Sequence, residues 1–170
     1  MWALVLALLS APPSEALRPI PALTLAVENP RSTGRRLLHL EDVIGPEARP
    51  IAKPARAVLI VCLAPFQRQP FGMNLGALSE LAGSASGGLV LGVLAVAPPG
   101  SNEPRLEPET MRVVVLGDPH GLGRQRLGLS GPGHVLVVRS DGRIVGDFPP
   151  GRSALEQGIA LFSSLLKEDL

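Results

Sequence analysis

Three apolar runs without a charge dominate the middle of the chain: AVLIVCL at 57–63, LVLGVLAV at 89–96, and the VVVL that follows Arg112 at 113–116. Each is too short for a typical helix, and most are rich in β-branched residues. That pattern predicts strands covered on both faces of a sheet. Between the first two, Leu75, Leu78 and Leu81 recur at helical spacing, so 73–82 reads as a helix that the Gly/Ser run at 83–88 ends. Upstream, LTLAV at 23–27 and RRLLHL at 35–40 read as two short strands separated by the Asn29-Pro30 turn. Residues 41–45 read as one helical turn closed by Gly45. A proline-rich connector follows at 46–54. A weak short helix is expected around 109–112, and 121–129 reads as an irregular or helical link. Two apolar runs flanking Asp141-Gly142 predict a hairpin, because a tight turn needs the positive φ that glycine supplies. Last, 153–166 is an amphipathic helix with Ser153 at its N-cap and Leu155, Ile159, Phe162, Leu165 and Leu166 on one face. Strands alternating with helices, then a hairpin and a terminal helix, predict one α/β domain on a mixed sheet.

The start of the chain has a different pattern. Met1 to Ala11, MWALVLALLSA, is too short to span a bilayer as a helix. Small residues at Ser14 and Ala16 form an A-x-A-like cleavage site. Residues 1–16 therefore read as a signal peptide without the usual basic start, and 17–170 as the single mature domain. The expected location is periplasmic or secreted. The alternative is a buried N-terminal element in a cytoplasmic protein.

Composition narrows the chemistry. A chain of 170 residues with 45% hydrophobic residues can build a core and is too apolar for disorder. One Cys cannot form an intramolecular disulfide, a CxxC pair or a Cys-rich zinc site, and three dispersed His make a poor metal cage. A net charge of +1 provides no strong field for nucleic acid or a membrane surface. With 3% aromatics there is no stacking platform for single strands. No cofactor, no metal, no nucleic acid and no stable membrane span in the mature chain are expected.

The segments, taken in order, resemble a known family. "IPALTLAVENPRSTGRRLLHLEDVIG" is similar to an N-terminal hairpin leading to a short turn. "AVLIVCLAPFQRQPFGMNLGALSEL" is similar to a strand, active-site loop and helix. "VVVLGDPHGLGRQRLGLSGPG" and "HVLVVRSDGRIVG" match the segments that follow. Together, about 21–166 resembles the redoxins: peroxiredoxins and exported TlpA-type thiol–disulfide oxidoreductases. The resemblance implies a thioredoxin-like fold, a central mixed β-sheet flanked by helices, with an N-terminal β-hairpin extension. It also exposes departures. Arg68 and Phe71 stand where the family's CxxC pair would be, and a peroxidatic Cys is missing too. Pro132-Gly133 occupies the region of the family's cis-proline, one residue out of register.

Candidate site residues follow from these positions. Cys62 lies six residues before Arg68 inside an apolar strand, so it reads as a small buried hydrophobe. One-cysteine thiol or antioxidant chemistry through Cys62 is the enzymatic alternative, since a reactive thiolate needs exposure and positive surroundings. The loop before the 73–82 helix carries Phe66, Arg68 and Phe71, a recognition set for a peptide or an anion near a helix N-terminus. Pro132 and His134 are expected near that loop, with His134 able to bind an anion or act as a base. Asp118-Pro119-His120 reads first as a turn. Three functions remain open. The leading one is a non-catalytic, exported thioredoxin-fold protein that binds or scaffolds a protein or peptide partner. The others are the Cys62 redoxin and a cysteine-free accessory domain like that of flavin-dependent aromatic hydroxylases, which "GPGHVLVVRSDGRIV" resembles.

Overall fold

A computed structural model of the chain describes residues 17–28, 34, 36–45, 55–64, 75–94 and 113–167. The two N-terminal runs are β1 (Thr24–Val27) and β2 (Leu37–His39), followed by the one-turn helix α1 (Leu40–Val43). The apolar runs are β3 (Ala57–Leu63), β4 (Gly88–Leu94) and β5 (Val114–Gly117). The helix α2 spans Leu75–Ser84, two residues later than the leucine spacing alone suggests. The 121–129 link is helical over α3 (Leu122–Leu127). β6 (Val135–Arg139), β7 (Ile144–Phe148) and α4 (Ala154–Lys167) complete the order. The short helix expected around 109–112 lies outside the described residues.

The strands form one mixed sheet in the order β2-β1-β5-β4-β3-β6-β7. β3, β4 and β5 run parallel; β1 with β2, β1 with β5, β3 with β6, and β6 with β7 run antiparallel. Every residue of β3 is buried, because the strand has a neighbour on each edge and cover on each face. Its side chains alternate between two cores, as the pleat requires. Ala57, Leu59, Val61 and Leu63 pack with Leu78 of α2 and with Ala154 and Phe162 of α4. Val58, Ile60 and Cys62 face the other way, toward Leu127 of α3 and Leu25, Leu38 and Leu40 from the N-terminal hairpin and α1. Two stripes of apolar residues from one seven-residue run thus hold both layers together.

Two local features place the functional ends. In the β6–β7 hairpin, the Gly142 N–H donates to Arg139 O at 2.9 Å, and Gly142 adopts φ 79. Asp141 Oδ1 accepts the Arg143 N–H at 3.0 Å, and its side chain pairs with Arg139. Those contacts hold the exposed Asp141 carboxyl below its usual value, the hydrogen bond from Arg139 being the main cause. Residues 17–20 run beside the hairpin: Ile144 N–H donates to Arg18 O and Ile20 N–H to Gly142 O, both on that outer edge. Among the described residues, no helix is long and apolar enough to cross a membrane.

Candidate functional site

The end of the sheet where β3 finishes and β6 begins holds the sequence-derived candidates that can be placed. β3 stops at Leu63, and Phe66, Arg68 and Phe71 lie outside the described residues. Beside that exit lies the loop 130–134. It is tied to β3 by two backbone hydrogen bonds of 2.9 Å: Gly133 N–H to Cys62 O, and Cys62 N–H to His134 O. The His134 N–H closes the loop on Gly131 O at 3.1 Å. Pro132 is half-buried at the apex, and its peptide bond is trans. Gly133, next in line, has φ 87, a left-handed conformation that a side-chain-bearing residue adopts at a cost.

His134 is 4% exposed, so its imidazole is not presented to solvent as an isolated base. Its Nδ1 lies 3.0 Å from both the Ser130 backbone N and Ser130 Oγ. An amide N–H can only donate, so Nδ1 is the acceptor and the neutral ring carries its proton on Nε2. That proton faces Asp147 Oδ1 at 2.6 Å. The other Asp147 oxygen accepts from the Arg18 guanidinium at 3.1 Å, and Arg18 also donates to Leu127 O at 2.9 Å. The chain Ser130–His134–Asp147–Arg18 therefore links the loop, β7, the N-terminal segment and the last turn of α3. Sequence reasoning picked out His134 but missed Ser130, Asp147 and Arg18. Ser130 is four residues before His134, a spacing that could have been read. Asp147 and Arg18 are 129 residues apart and meet only through the fold.

Cys62 is fully buried on the α3 side of the sheet. Burial pushes its thiol up to about 11; the Arg124 charge opposes that shift and the Asp118 charge adds to it. At neutral pH such a thiol is almost wholly protonated, and the thiolate is the reactive form. Cys62 thus has neither the exposure nor the lowered pKa that a reactive thiolate needs.

Asp118 is what its turn signature suggests. It is 3% exposed, with Oδ1 accepting the Gly123 N–H at 3.0 Å and Oδ2 the Arg124 N–H at 2.8 Å. It satisfies the free amides that open α3, where the helix's own entry residue, Gly121, has no side chain to do so. His120 beside it is exposed and lines an open cleft of about 560 Å³ with Glu41, Leu122 and Arg126. Among the described residues, none of the 130–134 loop lines that cleft. Among the described residues, no three His, Cys, Asp or Glu side chains gather as a metal site.

No family model and no curated protein matches the chain. Solved structures do. A thiol:disulfide interchange protein described as a putative DsbE from Chlorobium tepidum is 17% identical, with a TM-score of 0.55, over 88% of this chain and 96% of that one. An exposed lipoprotein thioredoxin from Streptococcus pneumoniae is 19% identical, with a TM-score of 0.55, over 83% and 99%. A thioredoxin peroxidase from Plasmodium yoelii reaches a TM-score of 0.62 at 9% identity, over 90% and 91%. These likenesses show the fold: the chain has a thioredoxin-like fold, with a single cysteine that lies inside the sheet.

Proposed function

We propose that the protein is an exported thioredoxin-fold protein that performs no thiol–disulfide or peroxide chemistry and acts by binding a protein or peptide partner. The observation that carries this reading is the state of Cys62, which is 0% exposed with its thiol pushed up to about 11, in a chain that holds no second cysteine. The relatives in shape include thiol oxidoreductases by description, and this chain lacks the residues that such chemistry uses. The proposed binding surface is the loop with Phe66, Arg68 and Phe71, together with Pro132 and the backbone around His134. Its support is sequence position: β3 ends beside Gly133, and the three residues fall between the end of β3 and the start of α2. Export rests on the leader and its small-residue cleavage pattern, with Leu17 as the first mature residue.

The test uses the purified metal-free protein. Insulin reduction and peroxide consumption should stay at background, and a thiol reagent should leave Cys62 unlabelled without denaturant. Robust turnover, or rapid native labelling of Cys62, would overturn the reading. N-terminal sequencing of the protein from an expressing bacterium's periplasm should begin at Leu17; an intact Met1 in the cytoplasm would remove the export part alone.

A further inference from the structure

The hydroxyl of Ser130, the imidazole of His134 and the carboxylate of Asp147 stand in the order nucleophile, base and orienting acid, with spacings of 3.0 Å and 2.6 Å. Such an arrangement is recognised by geometry and roles rather than by position in the chain. We propose that Ser130 is a nucleophilic serine that accepts an acyl group from small activated esters, with His134 as its general base.

Three observations support the assignment. First, the hydrogen bonds select the tautomer of the neutral ring that a base at Nδ1 requires. The Ser130 amide N–H holds Nδ1 as an acceptor, and Asp147 takes the Nε2 proton, so the lone pair faces the hydroxyl. Second, the parts differ in exposure as the chemistry needs. Ser130 is exposed, while His134 is 4% exposed and shielded from water. Third, Asp147 is itself held: Arg18 binds its second oxygen at 3.1 Å and is anchored in turn on Leu127 O, so the carboxylate cannot easily swing from the ring. A buried histidine needed only for packing could be satisfied by one partner at each nitrogen. Here Nδ1 has a second donor, and that donor is a solvent-facing hydroxyl.

The step balances. Ser130 Oγ attacks the ester carbonyl carbon, and its proton passes to His134 Nδ1. The bond to the activated alcohol then breaks, that alcohol takes the proton from Nδ1, and an acyl ester remains on Ser130. No oxidant or reductant enters, and Cys62 takes no part. Because the Nδ1 lone pair is shared with the Ser130 N–H, the base is weaker than an undivided one. The expected behaviour is therefore stoichiometric acylation, not rapid turnover, which goes beyond the binding role above without requiring it.

A fluorophosphonate probe and p-nitrophenyl acetate test this on the full-length protein, with the labelled residue located by peptide mass spectrometry. Ser130 should take the label ahead of the other exposed serines, Ser140 and Ser153 among them. Ser130→Ala, a change at an exposed position, should abolish it, and Ser130→Thr should retain part of it. Asp147→Asn should slow labelling at least about tenfold, since positioned bases contribute that much or more, while circular dichroism shows the fold kept. Equal labelling across exposed serines, no label on Ser130, or an unchanged rate in a folded Asp147→Asn protein each overturns the proposal.

Discussion

At the residue scale, the single cysteine turns burial into a measurable dependence on pH. Cys62 keeps its proton in the folded protein up to about 11, against 9.0 for an unperturbed thiol. Between those values the unfolded chain has released a proton that the folded chain still holds. Fewer protons on the unfolded state means stability falls as pH rises. The loss should begin near pH 9 and approach completion near 11, at up to about 1.4 kcal/mol for each unit of difference. The composition makes this limb readable: there is no Tyr and there are only two Lys to titrate alongside, and the arginines stay charged. Urea unfolding from pH 8 to 11 should show the decline in the native protein. Cys62→Ala should be less stable throughout, because a buried sulfur is replaced by space, and its alkaline decline should be much shallower. An identical decline in both proteins would refute the assignment. Burial of this residue was legible in the sequence, since AVLIVCL carries no polar position to face water. The partners of His134 were not, because a pair such as Arg18 and Asp147 leaves no mark on local pattern.

At the scale of elements, strands and the last helix were legible because burial on one or two faces imposes a period that survives in sequence. α3 was less so. It has six residues, enters and leaves through left-handed glycines at φ 71 and 76, and is stabilised by Asp118 from outside the helix. Nothing in LGRQRL announces those features. α4 shows the converse, a helix whose sequence hides a constraint. Gly158 lies in its interior, where alanine would normally be favoured by up to about 1 kcal/mol. A Cβ there would lie 2.5 Å from Val135 Cγ1 and 3.5 Å from Leu59 Cδ1. Val135 is β-branched, fully buried and paired to Val61 and Phe148 on either side, so it cannot retreat. Gly158→Ala should therefore destabilise the protein by about 1–3 kcal/mol, the usual cost of overpacking. Adding Val135→Ala makes room, so the pair should cost at least about 0.5 kcal/mol less than the sum of the two single changes. Denaturant midpoints of the four proteins settle it; a stabilised Gly158→Ala would show that the helix can lift from the sheet at no cost.

At the scale of the whole molecule, the position of β3 decides what Cys62 can report. The strand has β4 on one edge and β6 on the other, α2 and α4 on one face, α3 and the N-terminal hairpin on the opposite face. β3 pairs with strands that come both next and much later in the chain, so neither of its edges is open. The loop 130–134 adds a further lock by bonding the Cys62 backbone on both its N–H and its carbonyl. Exposure of the Sγ thus requires α3 and the N-terminal hairpin to part from the sheet together; because that layer closes one of the two cores, the expected opening lies at or near the global free energy rather than at local fraying. Short pulses of a thiol reagent across a urea series should give a Cys62 labelling midpoint that coincides with the loss of far-ultraviolet circular dichroism. The labelling rate without denaturant should fall by the full folding equilibrium constant relative to the unfolded chain. A labelling midpoint well below the dichroism midpoint would mean that β3 is released while helices persist, and that the two cores separate before the chain unfolds. In that event the same opening would also give Cys62 access to solvent in the native ensemble, and only the raised pKa of its thiol would hold back thiol chemistry.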